Sequence, residues 1–378
     1  MLNIAFTGGG TGGHIYPGLA VYDELKKILS GREYKIIWIG SSSGMDRSIV
    51  EAAGIEFFGI PSGKLRRYFS LQNITDLFRI AGGFFAARKI IKKQKIKLLF
   101  SKGGFVSVPP CAAAASLGIP VFTHESDYSP GLATKINARF VSDTGGIFTA
   151  YEETAKFFPV NVRDRITKTG NPVRGIFYGA DPAKGRAFLG LGEDSRILLV
   201  LGGSQGAKEI NELIRAALPE LTSIYTVVHQ TGSGNESDVP ASDRYKPYPY
   251  FKEEMPHVIA AADLVMGRSG AGIWEWAFLG KPMLLLPLRG SGTRGDQVEN
   301  ARFFAQAGAA QVLSFPYIDG KINSDEFLQA VKSLAEDSQK RKIMVEASAK
   351  ICEKNSAEII ARTLLRMCTL DSQQGGDN

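Results

Sequence analysis

The sequence repeats one arrangement twice: a short apolar run, then a glycine-rich loop, then a helical stretch. In the first half the apolar run is Leu2–Thr7 and the loop is Gly8–His14, and in the second half they are Arg196–Leu201 and Gly202–Gly206. Glycines after a strand allow a tight turn into a helix, whose first amides can bind an anion. The two copies therefore predict two Rossmann-like units, one in each half of the chain.

The remaining apolar runs alternate with helical stretches, which indicates an α/β fold with a doubly wound parallel sheet in each half. We expect further strands at Tyr34–Gly40, Lys97–Ser101, Ile119–Thr123, Tyr225–Gln230, Leu264–Met266, Met283–Pro287 and Ala310–Leu313. Helices are expected at about Pro17–Leu29, Ala207–Leu218, Ser324–Glu336 and Ser338–Met367, with a long basic helix before Lys97.

The chain has 378 residues, more than a single hydrophobic core usually supports, so two domains are expected. Pro172 interrupts the regular pattern and places the hinge near residues 165–172. The predicted N-terminal domain covers residues 1–166 and is joined by a C-terminal helix at about 350–368. The predicted C-terminal domain covers residues 167–349, and the polar segment 371–378 is expected to be disordered.

Composition narrows the class of protein. Cys111, Cys352 and Cys368 are widely spaced without a metal-ligand pattern, which indicates reduced thiols in the cytoplasm. No apolar run is long enough to span a bilayer, and Met1 leads directly into the first strand, so we expect neither a spanning helix nor a signal peptide. The net charge of +7 favours an anionic partner. Zinc-finger and RNP-type motifs are absent, so nucleic acid is not expected to be that partner.

The first glycine loop also fits a dinucleotide fingerprint, Gly8-x-Gly10-x-x-Gly13. That fold needs a carboxylate at the end of its second strand to bind the ribose hydroxyls. Here the second strand runs into Ser41-Ser42-Ser43. An oxidoreductase is therefore disfavoured, and a tight turn that binds nothing is the simpler alternative.

The second half contains another candidate anion site. Ser269, Gly270 and Ala271 stand at an expected helix start, and Glu275 follows about one turn later. A helix N-terminus favours a diphosphate, and a nearby carboxylate can accept two ribose hydroxyls. The alternative is a capped helix with a solvated Glu275. Together the glycine loops predict a ligand in a cleft between the two domains.

Six motifs then occur in order along the chain. They are Gly9-Gly10-Thr11-Gly12-Gly13-His14, Gly103-Gly104-Phe105-Val106-Ser107, His124-Glu125, Gly170-Asn171-Pro172-Val173-Arg174, Gly202-Gly203-Ser204-Gln205-Gly206 and Arg268-Ser269-Gly270-Ala271. Their combination resembles the N-acetylglucosaminyltransferases of peptidoglycan synthesis in glycosyltransferase family 28. The similarity runs from about residue 3 to about residue 365. It implies the GT-B fold, two Rossmann-like domains that face each other across a cleft.

The resemblance implies transfer of GlcNAc from UDP-GlcNAc to the MurNAc 4-hydroxyl of undecaprenyl-pyrophosphoryl-MurNAc-pentapeptide, with inversion. By motif position, Thr11, Gly12 and Gly13 would line the donor sugar and the acceptor side, and Arg174 and Ser204 would meet the diphosphate. The nucleotide would be held by Ala271, Gly272, Ile273, Trp274 and Glu275, with Glu275 on the ribose. Gln297 would reach the GlcNAc hydroxyls, and Lys252 stands where the family uses main-chain atoms against uracil.

This chain departs from the family pattern at three places. Asp127 stands where the family usually has asparagine, in a position expected to contact the sugar. The stretch Arg268–Glu275 is one residue shorter than usual before its glutamate. The family's glutamine pair is here Asp296-Gln297, so only the second position matches.

Three residues are candidates for the catalytic base: His14, Glu125 and Asp127. A histidine near its ordinary pKa can take the acceptor hydroxyl proton, whereas each of the three can instead brace its own loop. No Asp-x-Asp motif indicates a metal, and we expect neither a metal nor a cofactor. Arg174, loop amides and a helix dipole are expected to stabilise the departing UDP.

The N-terminal half also contains a basic, aromatic helix. Between Leu77 and Lys97 there is no acidic residue. The expected membrane contacts are Ile74, Leu77, Phe78, Phe84, Phe85, Arg88, Lys92 and Lys93. At helical spacing Phe78, Ala81 and Phe85 share one face. The sequence predicts salt-sensitive, peripheral attachment at the cytoplasmic face of the bacterial inner membrane, against the alternative that these aromatics pack on the sheet.

Three alternative functions stay open at this point. Another GT-B glycosyltransferase would act on a different lipid or small-molecule acceptor. A non-catalytic protein would bind UDP-GlcNAc without transfer, and an oxidoreductase would bind NAD.

Overall fold

The computed structural model describes residues 1–44, 46–63, 72–203, 207–235, 239–288, 294–314, 317–318, 321–322 and 324–374. The chain divides into two compact units. The N-terminal unit comprises residues 1–174 together with residues from 354 onward, and the C-terminal unit comprises residues 175–353.

The N-terminal unit is built on a seven-stranded parallel sheet with the strand order β3-β2-β1-β4-β5-β6-β7. Its strands are β1 (Leu2–Thr7), β2 (Tyr34–Ser41), β3 (Glu56–Ile60), β4 (Leu98–Ser101), β5 (Val121–Glu125), β6 (Gly146–Thr149) and β7 (Ile166–Lys168). The helices between them are α1 (Tyr16–Ile28), α2 (Asp46–Ala52), α3 (Gln72–Lys93), α4 (Val108–Ala115) and α5 (Leu132–Asn137). The order reverses between β1 and β4, as in a Rossmann fold.

The central strands of this sheet are covered on both faces, which explains why they are mainly apolar. Along β1, Ile4 and Phe6 pack into one core cluster with α1, whereas Ala5 packs into a second cluster with α3 and α4. The ring of Phe6 lies 5.8 Å from that of Trp38. Burying a large apolar side chain contributes on the order of 1.5–3 kcal/mol. The two clusters therefore hold the sheet that positions the loops.

Helix α3 approaches its neighbours closely through Gly83. A Cβ atom at this position would lie 2.4 Å from the carbonyl oxygen of Pro61 and 3.4 Å from the ring of Pro109. Only glycine allows this contact, so one face of α3 packs closely against the segments that contain Pro61 and Pro109. The opposite face is left to solvent.

The C-terminal unit repeats the architecture with six parallel strands in the order β10-β9-β8-β11-β12-β13. These are β8 (Ile197–Leu201), β9 (Thr226–Gln230), β10 (Tyr245–Tyr248), β11 (Leu264–Gly267), β12 (Met283–Leu285) and β13 (Ala310–Val312). The helices are α6 (Pro182–Leu189), α7 (Lys208–Ile224), α8 (Met255–Ala261), α9 (Ile273–Phe278), α10 (Asp296–Gln306), α11 (Asp325–Glu336) and α12 (Ser338–Ile351). A two-stranded antiparallel ribbon joins β14 (Tyr317–Ile318) to β15 (Lys321–Ile322).

The last helix of the chain returns to the N-terminal unit. Helix α13 (Ser356–Gln374) packs on α1. The single helix expected at Ser338–Met367 is wrong, because α12 ends at Ile351 and the chain passes from one unit to the other at 353–354. The segment expected to be disordered from residue 371 is helical as far as Gln374, and residues 375–378 lie outside the described ones.

Every strand expected from the sequence is confirmed, and each of its ends lies within about two residues of the expected end. Six strands in the described part of the chain were not expected: β3, β6, β7, β10, β14 and β15. None of the helices in the described part of the chain is both long and apolar enough to cross a membrane.

Candidate active site

The sequence-predicted loops of each unit lie at the point where the strand order reverses. In the N-terminal unit the loop Gly8–His14 follows β1, and the loop Lys102–Ser107 follows β4. In the C-terminal unit the loop at Gly202 follows β8, and the segment from Arg268 follows β11. In open parallel sheets the ligand crevice lies outside the carboxyl ends of these strands. Each unit thus presents two loops at the place expected for a ligand.

A buried carboxylate holds the first glycine loop. Asp46 is the first residue of α2, and its Oδ1 accepts the Gly10 N–H at 2.9 Å while its Oδ2 accepts the Ser41 N–H at 3.3 Å. A Cβ atom on Gly9 would lie 2.0 Å from Oδ2, so the loop packs directly on the carboxylate. An acidic residue does therefore follow the second strand, but both of its oxygens bind main-chain amides. Asp46 was not among the sequence-predicted residues.

His14 ends the 3₁₀ turn Gly12–His14, and its imidazole lies half-buried between two loops. Its Nδ1 lies 3.2 Å from the carbonyl oxygen of Lys102. A carbonyl only accepts hydrogen bonds, so Nδ1 carries the proton, and the neutral ring has an unprotonated Nε2. That is the form a general base requires.

The second glycine loop supports His14 from the other side. A Cβ on Gly104 would lie 2.5 Å from the carbonyl oxygen of Gly9 and 3.1 Å from Cδ2 of His14. Gly104 has φ +78°, a conformation that other residues rarely adopt. The two loops therefore touch around the imidazole. Of the other predicted contacts in the first loop, Thr11 and Gly13 are exposed and Gly12 is half-buried.

The two acidic candidates differ in their surroundings. The Glu125 carboxylate is buried at the end of β5 and accepts three main-chain N–H groups, from Ser126 at 2.9 Å, Asp127 at 3.0 Å and Gly131 at 3.1 Å. These bonds brace the loop that follows β5. Asp127 is half-buried in that same loop. The Glu125 carboxylate is therefore committed to the backbone.

Beneath the two loops lies a buried lysine that the sequence analysis missed. Lys102 Nζ donates to His124 Nδ1 at 2.8 Å and to Ser126 Oγ at 2.7 Å. Burial lowers the pKa of Lys102 to about 8, while the charges of Glu125 and Asp127 raise it. Burial, and next the Lys102 ammonium, hold the pKa of His124 well below its usual range. His124 is therefore neutral, with its proton on Nε2, which donates to the Gly170 carbonyl at 3.0 Å.

Arg174 lies beside the first loop. Its guanidinium carbon is 4.7 Å from the centre of the Tyr16 ring, and a cation over an aromatic face is attracted by the ring. Tyr16 is the first residue of α1, directly after the loop that ends at His14. Tyr16 was not among the sequence-predicted residues. Through its contact with Tyr16, Arg174 lies on the same side of the N-terminal unit as His14.

In the C-terminal unit, Gln230 ties the first loop to a neighbouring segment. Its Nε2 donates to the Gly203 carbonyl at 3.1 Å, and its Oε1 accepts the Phe251 N–H at 3.0 Å. The adjacent Lys252 has an exposed side chain, and its main-chain N–H donates to Glu254 at 3.2 Å. Ser204, expected at the diphosphate, lies outside the described residues.

The second predicted loop of this unit is tied to α10. Ser269 Oγ donates to the Gln297 carbonyl at 2.7 Å, and the Asn300 side chain donates to the Ser269 carbonyl at 3.0 Å. Gln297 Oε1 accepts the Leu288 N–H at 2.9 Å, which fixes the amide group and directs its NH₂ away from that bond. Gln297 and the segment after β11 therefore lie together.

Helix α9 begins at Ile273, two residues after the expected start. Glu275 lies in its first turn and is half-buried. Ile273 and Trp274 are buried, and the Trp274 ring packs edge-on against Phe304 at 5.0 Å. Ala271 is half-buried and Gly272 is exposed. The side chains of Ile273 and Trp274 therefore belong to the core of this unit.

Helix α3 presents an apolar face to solvent. Leu77, Phe78 and Phe85 are 61%, 75% and 67% exposed. Phe84 is half-buried and packs against the core cluster under the helix. Lys92 and Lys93 are exposed and Arg88 is half-buried, whereas the side chain of Ile74 lies outside the described part. The described residues contain no group of three or more histidine, cysteine or acidic side chains placed to hold a metal ion.

Two family models match this chain. The N-terminal domain model of glycosyltransferase family 28 matches residues 4–145, and the C-terminal domain model of the same family matches residues 197–362. A protein of Treponema denticola, named UDP-N-acetylglucosamine--N-acetylmuramyl-(pentapeptide) pyrophosphoryl-undecaprenol N-acetylglucosamine transferase, is 44% identical over 95% of this chain and 96% of its own length. A protein of the same name from Treponema pallidum is 46% identical over 82% of each chain.

Solved structures agree on the fold. The crystal structure of Acinetobacter baumannii MurG matches with a TM-score of 0.70 and 23% identity, over 96% of this chain and 99% of that one. A UDP-N-acetylglucosamine 2-epimerase matches with a TM-score of 0.67 and 15% identity, over 97% and 95%. The predicted fold class, two Rossmann-like α/β domains of the GT-B type, is confirmed.

Proposed function

The chain belongs to glycosyltransferase family 28, and on that premise we propose that it transfers GlcNAc from UDP-GlcNAc to the MurNAc 4-hydroxyl of undecaprenyl-pyrophosphoryl-MurNAc-pentapeptide. The observation that carries this proposal is the similarity, over nearly the full length of both chains, to relatives named for that transfer. The loops at the reversal of strand order in both sheets support it, because each belongs to a motif of the family.

The reaction is a single displacement with inversion. The acceptor 4-hydroxyl gives up its proton to a base, its oxygen forms a bond to C1 of GlcNAc, and the bond from C1 to the diphosphate oxygen breaks. UDP leaves with the bonding electrons. The chain must therefore supply a base on one side of the sugar and positive charge or N–H donors on the other.

His14 is the base in this proposal. The Lys102 carbonyl holds the proton on Nδ1, which leaves Nε2 as the atom that accepts a proton. Glu125 is a weaker candidate because three main-chain amides already occupy its carboxylate. Asp127 contacts the sugar in place of the family's asparagine, so its exchange for asparagine should retain transfer.

The donor contacts are assigned residue by residue from the family motifs. Glu275 accepts the ribose hydroxyls, and Gln297 offers its NH₂ to the GlcNAc hydroxyls. Arg174 and Ser204 meet the diphosphate, and main-chain atoms at Lys252 and at Ala271–Trp274 contact the nucleotide. Thr11, Gly12 and Gly13 face the donor sugar and the acceptor. An arginine with loop amides can stabilise the negative charge that develops on departing UDP.

Transfer of labelled GlcNAc to a short-chain analogue of the lipid acceptor tests the proposal. We expect transfer from UDP-GlcNAc that depends on the acceptor, and no transfer from UDP-glucose at the same concentration. Donor binding without transfer would instead indicate a sugar-nucleotide binding protein. Transfer only to an unrelated lipid or small molecule would indicate another GT-B glycosyltransferase.

We also propose that helix α3 attaches the protein to the cytoplasmic surface of the bacterial inner membrane. Leu77, Phe78 and Phe85 are exposed apolar side chains, and Lys92 and Lys93 continue the same helix as exposed cations. Each lysine or arginine near an anionic bilayer contributes on the order of 1 kcal/mol. An acceptor with an undecaprenyl chain stays in the bilayer, which such attachment would suit.

Vesicle sedimentation tests this attachment. We expect binding to phosphatidylglycerol-containing vesicles at low salt and release at high salt, because salt screens surface charge. Replacing Leu77, Phe78 and Phe85 with serine should abolish binding. Replacing Val160 and Ile343, two exposed apolar residues elsewhere, with serine is the matched control and should leave binding unchanged. Equal binding by both variants would refute the assignment.

A further inference from the structure

Lys102 is a buried cation with neutral partners. Its side chain is 2% exposed, although lysine is almost never fully buried unless it is paired with an opposite charge. Among the described residues, its ammonium donates to His124 Nδ1 and Ser126 Oγ and forms no ion pair with a carboxylate. Burial of an ammonium is costly, and the charges of Glu125 and Asp127 offset this cost only in part, since the pKa of Lys102 is still lowered.

Both hydrogen-bond partners of Lys102 lead to the same short segment. His124 Nε2 donates to the Gly170 carbonyl at 3.0 Å, and Ser126 Oγ donates to Asn171 Oδ1 at 2.6 Å. Both hydrogen-bonded paths run in one direction. The Lys102 ammonium donates to His124 or Ser126, and that side chain donates in turn to an oxygen of Gly170 or Asn171. The ammonium therefore fixes the orientation of both middle groups.

The segment at 170–171 leads directly to Arg174. Gly170 has φ +77°, Asn171 is buried, and Pro172 limits the backbone that follows. Arg174 comes two residues later and stacks on Tyr16. A shift at 170–171 would thus be passed to Arg174 over a short, stiff stretch of chain.

We propose that Lys102 is a positioning residue for donor binding: its ammonium fixes the 170–171 segment through His124 and Ser126, and thereby holds Arg174 against the donor diphosphate. This inference rests on the proposed function, which places Arg174 at the diphosphate. Hydrogen bonds from an ionised donor are roughly twice as strong as neutral ones. With the Lys102 pKa at about 8, the ammonium is the main form at neutral pH.

The variant Lys102→Met tests the proposal, because methionine fills a similar volume and donates no hydrogen bond. We expect the KM for UDP-GlcNAc and the Kd for UDP to rise about tenfold, with a much smaller change in kcat. A merely structural role would instead reduce the folded fraction, lowering kcat while leaving KM unchanged. Faster deuterium uptake at residues 169–174 is expected in the variant, and this readout does not depend on activity.

Lys281→Met is the matched control. Lys281 is a mostly buried lysine of the C-terminal unit that donates to the carbonyls of Ala260 and Ala262 at 2.5 and 3.0 Å. Burial lowers its pKa as well. Its loss should leave the donor KM and the exchange at 169–174 unchanged. Equal rises in donor KM for the two variants would overturn the inference.

Ser126→Ala tests the positioning role of Lys102 even if Lys102→Met does not fold. It keeps the ammonium and its bond to His124 but breaks the connection to Asn171, so a smaller rise in donor KM is expected. If the wild type is active but Ser126→Ala changes neither the donor KM nor the deuterium exchange at 169–174, the inference is overturned while the proposed function stands. A wild type that neither binds UDP-GlcNAc nor transfers GlcNAc overturns the proposed function and the inference with it.

Discussion

Replacing Asp46 with alanine should loosen the first glycine loop. The carboxylate is 1% exposed and accepts the Gly10 N–H at 2.9 Å and the Ser41 N–H at 3.3 Å. A hydrogen bond to a charged group contributes about 1.5–3 kcal/mol, and the longer bond belongs at the low end of that range. Removing a buried carboxylate also relieves its desolvation, which offsets part of the loss. We therefore expect Asp46→Ala to lower the free energy of unfolding by about 3 kcal/mol.

Scanning calorimetry measures this change. For a unit of this size, each kcal/mol shifts the Tm by about 2–4 °C, so a Tm lower by roughly 6–12 °C is expected for the N-terminal transition. Asp46→Asn keeps one oxygen acceptor and should shift the Tm about half as far. Asp143→Ala is the matched control, because Asp143 is 91% exposed and its pair with Arg165 is screened by water.

Comparing Asp46→Ala with Asp143→Ala shows whether the Asp46 carboxylate holds the loop at Gly9 and Gly10 or only packs against it. If Asp46 organises the loop, its loss should also reduce kcat, because His14 stands at the end of that loop. If Asp46→Ala is no less stable than Asp143→Ala and keeps wild-type kcat, the carboxylate does not hold the loop. The close contact at Gly9 would then only reflect dense packing.

Three further predictions concern the site. Glu275→Ala should raise the donor KM about ten- to hundredfold with a smaller change in kcat, since a charge-assisted bond to ribose is worth about 1.5–3 kcal/mol; an unchanged KM in steady-state kinetics would count against the assignment. His14→Ala should lower kcat by about 10²–10⁴ with nearly unchanged UDP affinity by calorimetry; wild-type kcat would make Asp127 or Glu125 the better candidate. The folded pKa of Lys102, about 8, lies below its ordinary 10.5, so the unfolded chain binds more protons between these values and stability rises with pH there. In urea denaturation, the free energy of unfolding of the wild type should rise by up to about 3 kcal/mol from pH 8 to 10.5 relative to that of Lys102→Met. A difference between the two proteins that does not change with pH would refute the lowered pKa.

The sequence predicted the strands that carry the loops, because each is a mainly apolar run with a glycine within two residues of its end. It did not predict β6 or β10. Strand β6 (Gly146–Thr149) has four residues and starts with glycine, and β10 (Tyr245–Tyr248) contains Pro247. These strands form because a neighbouring strand is already in place: β10 pairs with β9, which local composition does not reveal.

The candidate site was predictable only where glycine or helix-start patterns marked it. Asp46 and Lys102 were missed because a charged residue near a strand end usually lies in solvent, and only the fold shows that both are buried. The sequence grouped Phe84 with Phe85 among the membrane contacts, and only the fold shows that Phe84 packs partly against the core, because consecutive helical residues point in different directions. The break between α12 and α13 was missed because the chain stays helix-favouring where it crosses between units.

We propose that this chain joins GlcNAc to a lipid-linked acceptor, and mass spectrometry of the purified reaction products, with UDP measured in the same sample, tests this. We expect the acceptor to gain one N-acetylhexosamine, one UDP to appear for each acceptor converted, and the new linkage to be β. Release of UDP with an unchanged acceptor would contradict it, as would conversion of UDP-GlcNAc to its 2-epimer.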